Sequence, residues 1–291
     1  MRNANLLQSW VYTLLLVLVT AVWGWTFVVV QDAIAAYAVL GFLALRFALA
    51  SLALAPLLPR LTLRTLLVGS GIGLVLGMGY LFQTVGLLYT TPTNSGLITG
   101  LFVVFAPLTA RLFFKVHVPR LIVAAVFLSL TGMVLLAGQS ASGVRVGDAL
   151  TVVCAAALGL HIALLSRYAP EHDAGSLALA QMLSMAVLFS LMWPLFEPVS
   201  LPPREVLFAI ALTGLVASAL AFYVQTTVQQ RIPAARAAVI LTSEPVFAAL
   251  FGYWLAGDRL SPVQLAGAAL ILSALFVGEA LPVLRRKERV R

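Results

Sequence analysis

The chain is poor in the side chains that soluble enzymes depend on: 291 residues hold one cysteine, three histidines and ten acidic residues. A single thiol, Cys154, excludes an internal disulfide and leaves no second thiolate for a metal cage. It is expected to be a small buried side chain. The minimum parts of a zinc metalloprotease (His-Glu-x-x-His), a serine hydrolase (Gly-x-Ser-x-Gly) and an ATP-driven pump (a Walker lysine loop) are all absent. Glu171, His172 and Asp173 are consecutive, which fits a solvated turn better than a metal site. No enzyme activity and no cofactor are expected. Charge of either sign is scarce, at 10% of residues, where soluble domains carry about 25%.

Apolar residues are abundant instead, at 62% of the chain with a mean hydropathy of +1.05. A helix needs about 20 apolar residues to cross a bilayer, and backbone facing lipid is satisfied only in helices or closed barrels. The apolar runs are too long for barrel strands. They place ten spans at 10–30, 37–55, 66–88, 93–115, 119–137, 148–167, 175–195, 204–229, 234–255 and 261–281, with prolines punctuating most connectors. The predicted fold class is an all-α membrane protein of ten transmembrane helices, with no room for a soluble domain. The first run passes through Trp23, Gly24 and Trp25 and lacks the shape of a cleaved signal.

The net charge of +8 is a matter of placement. Counting connectors outward from the N-terminus, one side collects 14 basic residues (among them Arg60, Arg64, Arg167, Arg231 and the tail from Arg285), and the other only Arg145, Arg204 and Arg259. Arg46 is left inside the second span. Basic residues accumulate on the cytoplasmic side, so both termini are expected there. The basic tail then contacts anionic lipid, and nucleic acid is not an expected partner.

The order of elements repeats. Shifted by 142, Gln83-Thr84 falls on Gln225-Thr226 and Tyr80 on Phe222; shifted by 135, Gly24 falls on Gly159; shifted by 138, Pro107 falls on Pro245. Residues 1–138 and 139–291 therefore read as two five-span repeats. An odd number of spans inverts the second copy, which is the layout of secondary transporters with a site near the midplane. Kinks or breaks at Pro107 and Pro245 would be hinges around it.

The Trp23-Gly24 pair, Arg46-Phe47, the Leu97–Leu101 stretch before Pro107, Glu244-Pro245-Val246-Phe247-Ala248-Ala249-Leu250, and Gly257-Asp258-Arg259-Leu260 together resemble the EamA-like members of the drug/metabolite transporter superfamily. At the last motif the family more often has Gly-Glu-Arg. The resemblance covers essentially the whole chain. It implies a ten-helix fold in the bacterial inner membrane, a central cavity lined by helices one, three, four, six, eight and nine, and export of amino acids or other small metabolites; the closest likeness is to aromatic amino-acid exporters.

Several polar residues lie at membrane depth, where an isolated charge costs about 2.5–3.5 kcal/mol on insertion scales. Glu244 is either paired with a cation such as Arg46, kept neutral by desolvation so that it exchanges protons, or a structural tie for helix nine. His161 is a candidate cavity residue able to hydrogen-bond substrate, with plain packing as the other reading. Tyr80, Gln83, Tyr223 and Gln225 are candidates for orienting a zwitterion, or else interhelical hydrogen bonds; Thr99 serves in either way. Trp23 or Trp25 meets the cavity, because residues two apart face different sides of a helix. Trp10, Tyr12, Tyr89, Trp193 and Trp254 read as interface anchors. Gly69, Gly73 and Gly77 give helix three a small-residue face for close packing. A small-molecule substrate, the bilayer and, as a coupling ion, the proton are the expected partners, with the protein a monomer or weak dimer. A drug or nucleotide-derivative carrier and a non-transporting receptor or scaffold are the alternatives; a channel would need a ring of carbonyls or charges that the sequence lacks.

Overall fold

A computed structural model gives the arrangement of the chain and describes residues 2–137, 146–255, 259 and 261–288. Arg145, the Gly257-Asp258 pair, Leu260, and Arg289 and Arg291 of the basic tail lie outside the described residues. Those described contain helices and no strand, in the order α1 (Arg2–Ala36), α2 (Val39–Leu54, extended by a 3-10 turn Ala55–Arg60), α3 (Leu63–Gly86), α4 (Pro92–Thr99 and Phe102–Phe114), α5 (Arg120–Ala137), α6 (Val146–Tyr168), α7 (Ala174–Phe196), α8 (Arg204–Ala211, Leu212–Leu220 and Ala221–Gln229), α9 (Ala234–Leu241 and Glu244–Leu255) and α10 (Pro262–Glu288). Eight are long and apolar enough to cross a membrane, and α5 and α10 carry shorter apolar stretches, Arg120–Leu135 and Pro262–Ala274. These two pack on each other at the periphery, where Gly132 lies against the backbone of Gly267.

Local chemistry starts the helices where the connectors end. Thr62 accepts from the Thr65 N–H, Thr91 from that of Asn94 and Asp173 from that of Ser176, each supplying an acceptor to an otherwise unpaired first-turn donor. The bond from the Ser176 backbone holds the Asp173 carboxyl below the usual carboxylate range. The cap of α2 comes from far along the chain: Glu197 Oε2 accepts from the N–H groups of Leu40 (2.8 Å) and Gly41 (3.3 Å), an anion at the positive end of a helix. Beside it the Tyr37 hydroxyl donates to the Ser200 carbonyl at 2.6 Å.

Connectors an even number apart meet at the same end of the bundle. Arg64 after α2 pairs with Glu171 after α6 (2.6 Å), Arg167 joins them (2.9 Å), and Arg231 after α8 bonds Tyr12 of α1. Glu171-His172-Asp173 is therefore a bonded turn: the Thr65 hydroxyl meets His172 Nδ1 at 2.9 Å. At the other end Glu197 reaches α2, and Thr90 donates to Asp148. This is the alternation on which the count of basic residues relied.

The two halves share their packing as well as their order. α1 crosses the second segment of α9 at Gly24, where an added Cβ would lie 2.6 Å from Phe247 Cβ and 2.7 Å from the Ala248 nitrogen. α6 crosses the second segment of α4 at Gly159, where an added Cβ would collide with Phe105 Cβ and lie 2.9 Å from the Ala106 nitrogen. Exchanging the halves maps one contact onto the other, Gly24 onto Gly159 and Phe247-Ala248 onto Phe105-Ala106. The 142-residue shift that relates the α4 and α9 segments also relates their breaks, Gly100-Leu101 to Thr242-Ser243. It corrects the pairing of Pro107 with Pro245. Pro245 opens the second segment of α9, where a missing N–H costs least, whereas Pro107 lies inside the continuous segment Phe102–Phe114 and does not break it. The α4 discontinuity falls at Gly100, whose bare Cα lies against the Pro245 ring and Met133.

On the small-residue face of α3, Gly69 meets Ala180 and Gly73 meets Gln181 and Ser184 of α7, while Gly77 faces Met185 and Leu188. Trp193, near the end of α7, packs on Gly41 of α2 and edge-on to Tyr37.

Candidate functional site

The broken helices come together around one cavity. Its empty space is about 660 Å³ counting the part open to solvent. α1, α3, α4, α6, α8 and α9 line it as the resemblance implied, and α2 contributes as well, through Arg46.

Of the residues singled out in the sequence, Trp23, Arg46, Tyr80, Gln83, His161, Gln225 and Glu244 line this cavity. Thr99 stands behind the wall: it is fully buried, accepts from Gln83 Nε2 at 3.1 Å and hydrogen-bonds the Cys154 thiol. Tyr223 is not in the site. It is 41% exposed, and neighbouring Phe222 takes its place, one helical turn from Gln225 and on the same face. Trp25 turns away to pack on Phe208 and Phe251, so of the two tryptophans Trp23 is the cavity residue.

The middle of α8 explains how Trp23 and Arg46 are fixed. Leu212–Leu220 winds as a π-helix, a rare form often found at functional sites. Trp23 Nε1 donates to the Ala217 carbonyl at 2.8 Å and Arg46 Nε to the Ser218 hydroxyl at 2.9 Å, both within that segment. The Arg46 guanidinium also donates to the Tyr80 hydroxyl at 3.3 Å and lies 4.5 Å above its ring. A guanidinium has five N–H donors, and these two bonds leave the others for a ligand. Phe47 and Phe222 pack edge-on to Tyr80, and Trp23 tilts against Phe222 at 5.3 Å, so the charge sits in an aromatic frame.

Glu244 begins the second segment of α9. The helix ladder is interrupted just before it, and the Thr242 and Ser243 hydroxyls turn back onto the carbonyls of Val239 and Ile240. Ser243 also meets Thr20 of α1 at 2.7 Å. The Glu244 side chain is 5% exposed and lines the cavity, and no ion pair joins it to Arg46 among the described residues. Of the readings open in the sequence, direct pairing with Arg46 is therefore the one the structure does not adopt: Arg46 spends its bonds on Ser218 and Tyr80. Cation and carboxyl instead face one space from different helices.

A buried polar chain backs the cavity on the side of α6, α7 and α8. His161 Nε2 meets Gln181 Oε1 at 2.8 Å, Gln225 Nε2 donates to Gln229 Oε1 at 2.8 Å, and Gln229 Nε2 donates to the Ile162 carbonyl at 2.9 Å and the Ser166 hydroxyl at 2.6 Å. Gln181 and Gln229 escaped the sequence reading, although each is an amide in an apolar span. Among the described residues no group of three His, Cys, Asp or Glu is placed to hold a metal ion.

Comparison with known proteins agrees with this architecture. A relative from Archaeoglobus fulgidus described as an "uncharacterized transporter" is 35% identical over 263 residues, covering 90% of this chain and 83% of its own. A Bacillus subtilis relative described as "uncharacterized transporter YwfM" is 31% identical over 105 residues, about a third of each chain (36% and 35%). A solved crystal structure superposes with a TM-score of 0.76 over 97% of this chain and 99% of its own, at 22% identity, a likeness of fold. The sequence model of the EamA-like transporter family matches residues 10–138 and again 145–277. The chain is thus a membrane transporter and not an enzyme, and it belongs to the EamA-like transporter family.

Proposed function

We propose that this protein is a secondary transporter that exports amino acids by alternating access, the halves 1–138 and 139–291 rocking about the central cavity. The observation that carries the reading is that opposite charges line one cavity: a guanidinium with spare donors at Arg46 and an unpaired carboxyl at Glu244, framed by Trp23, Tyr80 and Phe222. A zwitterion presents a carboxylate to the first, an ammonium to the second, and an apolar side chain to the aromatic frame. Arg46 disfavours a carrier of lipophilic cations, which gain nothing from a fixed positive charge. The distribution of basic residues supports cytoplasmic termini in the bacterial inner membrane. The crossings at Gly24 and Gly159, together with the breaks at Gly100-Leu101 and Thr242-Ser243, are the symmetric elements about which the halves move.

Uptake of a panel of labelled amino acids into liposomes holding the purified protein, against protein-free liposomes, tests this. Accumulation of at least one amino acid is expected. Silence across the panel overturns the substrate assignment. In the same assay Glu244→Gln, which keeps the shape of the side chain but cannot release a proton, is expected to flatten the dependence of uptake on pH. An unchanged profile removes Glu244 as the coupling group and leaves proton coupling without a carrier.

A further inference from the structure

The orientation of the cavity's polar groups is set by residues that do not line it. The Ile162 carbonyl can only accept, so the Gln229 amide must turn its nitrogen toward it (2.9 Å), which leaves Gln229 Oε1 facing Gln225. That oxygen in turn requires the nitrogen of Gln225. The remaining Gln225 atom, Oε1, is buried without a hydrogen-bond partner on a residue that lines the cavity and is 1% exposed. The same logic runs through α7. The Leu177 carbonyl accepts from Gln181 Nε2 at 3.2 Å, so Gln181 Oε1 faces His161, and the proton between them sits on His161 Nε2. In the neutral ring Nδ1 is then an acceptor. Thr26, also in the wall, spends its hydroxyl hydrogen on the Trp23 carbonyl at 2.7 Å and likewise offers lone pairs.

The side chains lining the cavity therefore offer acceptors at Thr26, Gln83, His161, Gln225 and the Glu244 carboxyl, with the donors of Arg46 and Tyr80 elsewhere in the same wall. A buried acceptor without a partner is costly, and a site built to pair with a donor strongly rejects the analogue that lacks it. Resting on the amino-acid reading above, we infer that the site selects its substrate by the N–H groups of a primary ammonium, and that Gln229 is a positioning residue that enforces this by holding Gln225 Oε1 toward the ligand. Charge alone does not satisfy the site. A trimethylated ammonium has the same charge as a primary one and no hydrogen to donate, so it is refused.

The test pairs each transported amino acid with its N-monomethyl and N,N,N-trimethyl derivatives in the liposome uptake assay. The native protein is expected to rank them in the order of their N–H count, with the trimethyl form at least about tenfold below the parent, the scale of one lost hydrogen bond to a charged group. Gln229→Leu frees the Gln225 amide to turn and is expected to shrink that ratio several-fold by lowering uptake of the parent more than that of the trimethyl form. Gln225→Met, which removes the acceptor and nearly keeps the volume, should act the same way and supplies the answer if Gln229→Leu does not purify as a folded protein. Equal uptake of parent and trimethyl forms overturns the inference and leaves the amino-acid reading standing. Discrimination untouched by both substitutions also overturns it, because size exclusion alone would then explain the ranking. Silence from every amino acid overturns both.

Discussion

Replacing Arg46 by methionine is expected to cut uptake of a carboxylate-bearing amino acid by about a hundredfold or more, because a bidentate charge-assisted pair contributes roughly 1.5–3 kcal/mol per hydrogen bond. Stability should change far less. The substitution leaves the Ser218 and Tyr80 hydroxyls without their partner, but it also relieves the desolvation of a fully buried cation. Arg46→Lys keeps the charge and is nevertheless expected to fail, since one ammonium cannot reach Ser218 and Tyr80 and still present a flat pair of donors. An amine analogue without a carboxylate separates the two roles of this residue: its uptake, however weak, should not fall further in Arg46→Met. Equal loss for both solutes would mean that Arg46 acts only as a brace between α2, α3 and α8.

Gly24→Ala and Gly159→Ala are expected to destabilise the protein by about 1–3 kcal/mol each, the usual cost of forcing atoms into filled space, and by similar amounts. An added Cβ at either place meets backbone of the crossing helix as well as a side chain, so a rotamer change cannot make room. Thermal unfolding in detergent reads this, at about 2–4 °C per kcal/mol for a protein somewhat smaller than this one. Gly71 is the control. It lies on α3 with open space around its missing Cβ, and Ala is the better helix former by about 1 kcal/mol, so Gly71→Ala should be neutral or slightly stabilising. If Gly24→Ala and Gly159→Ala differ as much from each other as from Gly71→Ala, the two crossings are not equivalent and the symmetry of the halves does not extend to their packing.

The helices were legible in the sequence because lipid leaves the backbone no other partner than itself, and prolines at the connectors marked where each span had to end. The pairing of Gly24 with Gly159 was visible too, since a residue without a side chain at the tightest crossing has no substitute. Prolines misled where they drew more attention than spacing did. Pro107 and Pro245 align at a shift of 138, but the helix breaks and the Phe105-Ala106 and Phe247-Ala248 sides of the crossings follow the shift of 142 that also relates Gln83 to Gln225, while the crossing glycines keep the shift of 135. Tyr223 has the hydroxyl a polar site calls for, but the helical phase puts Phe222 on the face of Gln225. The π-helix of α8 left no sequence signal, because one extra residue per turn depends on what the turn must reach, here the Trp23 indole and the Arg46 guanidinium. Gln181 and Gln229 went unnoticed among the apolar spans, and their consequence for the cavity depends on the carbonyls of Leu177 and Ile162.

The central claim is that the cavity between the halves is the substrate site and opens to each side in turn. Cys154 stands in that wall but is fully buried, so the reporter is Leu158→Cys in a Cys154→Ala background, at a half-buried residue that lines the cavity. The measurement is the rate at which a small membrane-impermeant thiol reagent modifies that variant, applied from either face of oriented vesicles, with and without a transported amino acid at saturation. The account predicts modification from both faces, slowed severalfold by the amino acid and unaffected by a solute that is not transported. Modification from one face only, or at the same rate whatever the solute, would contradict it.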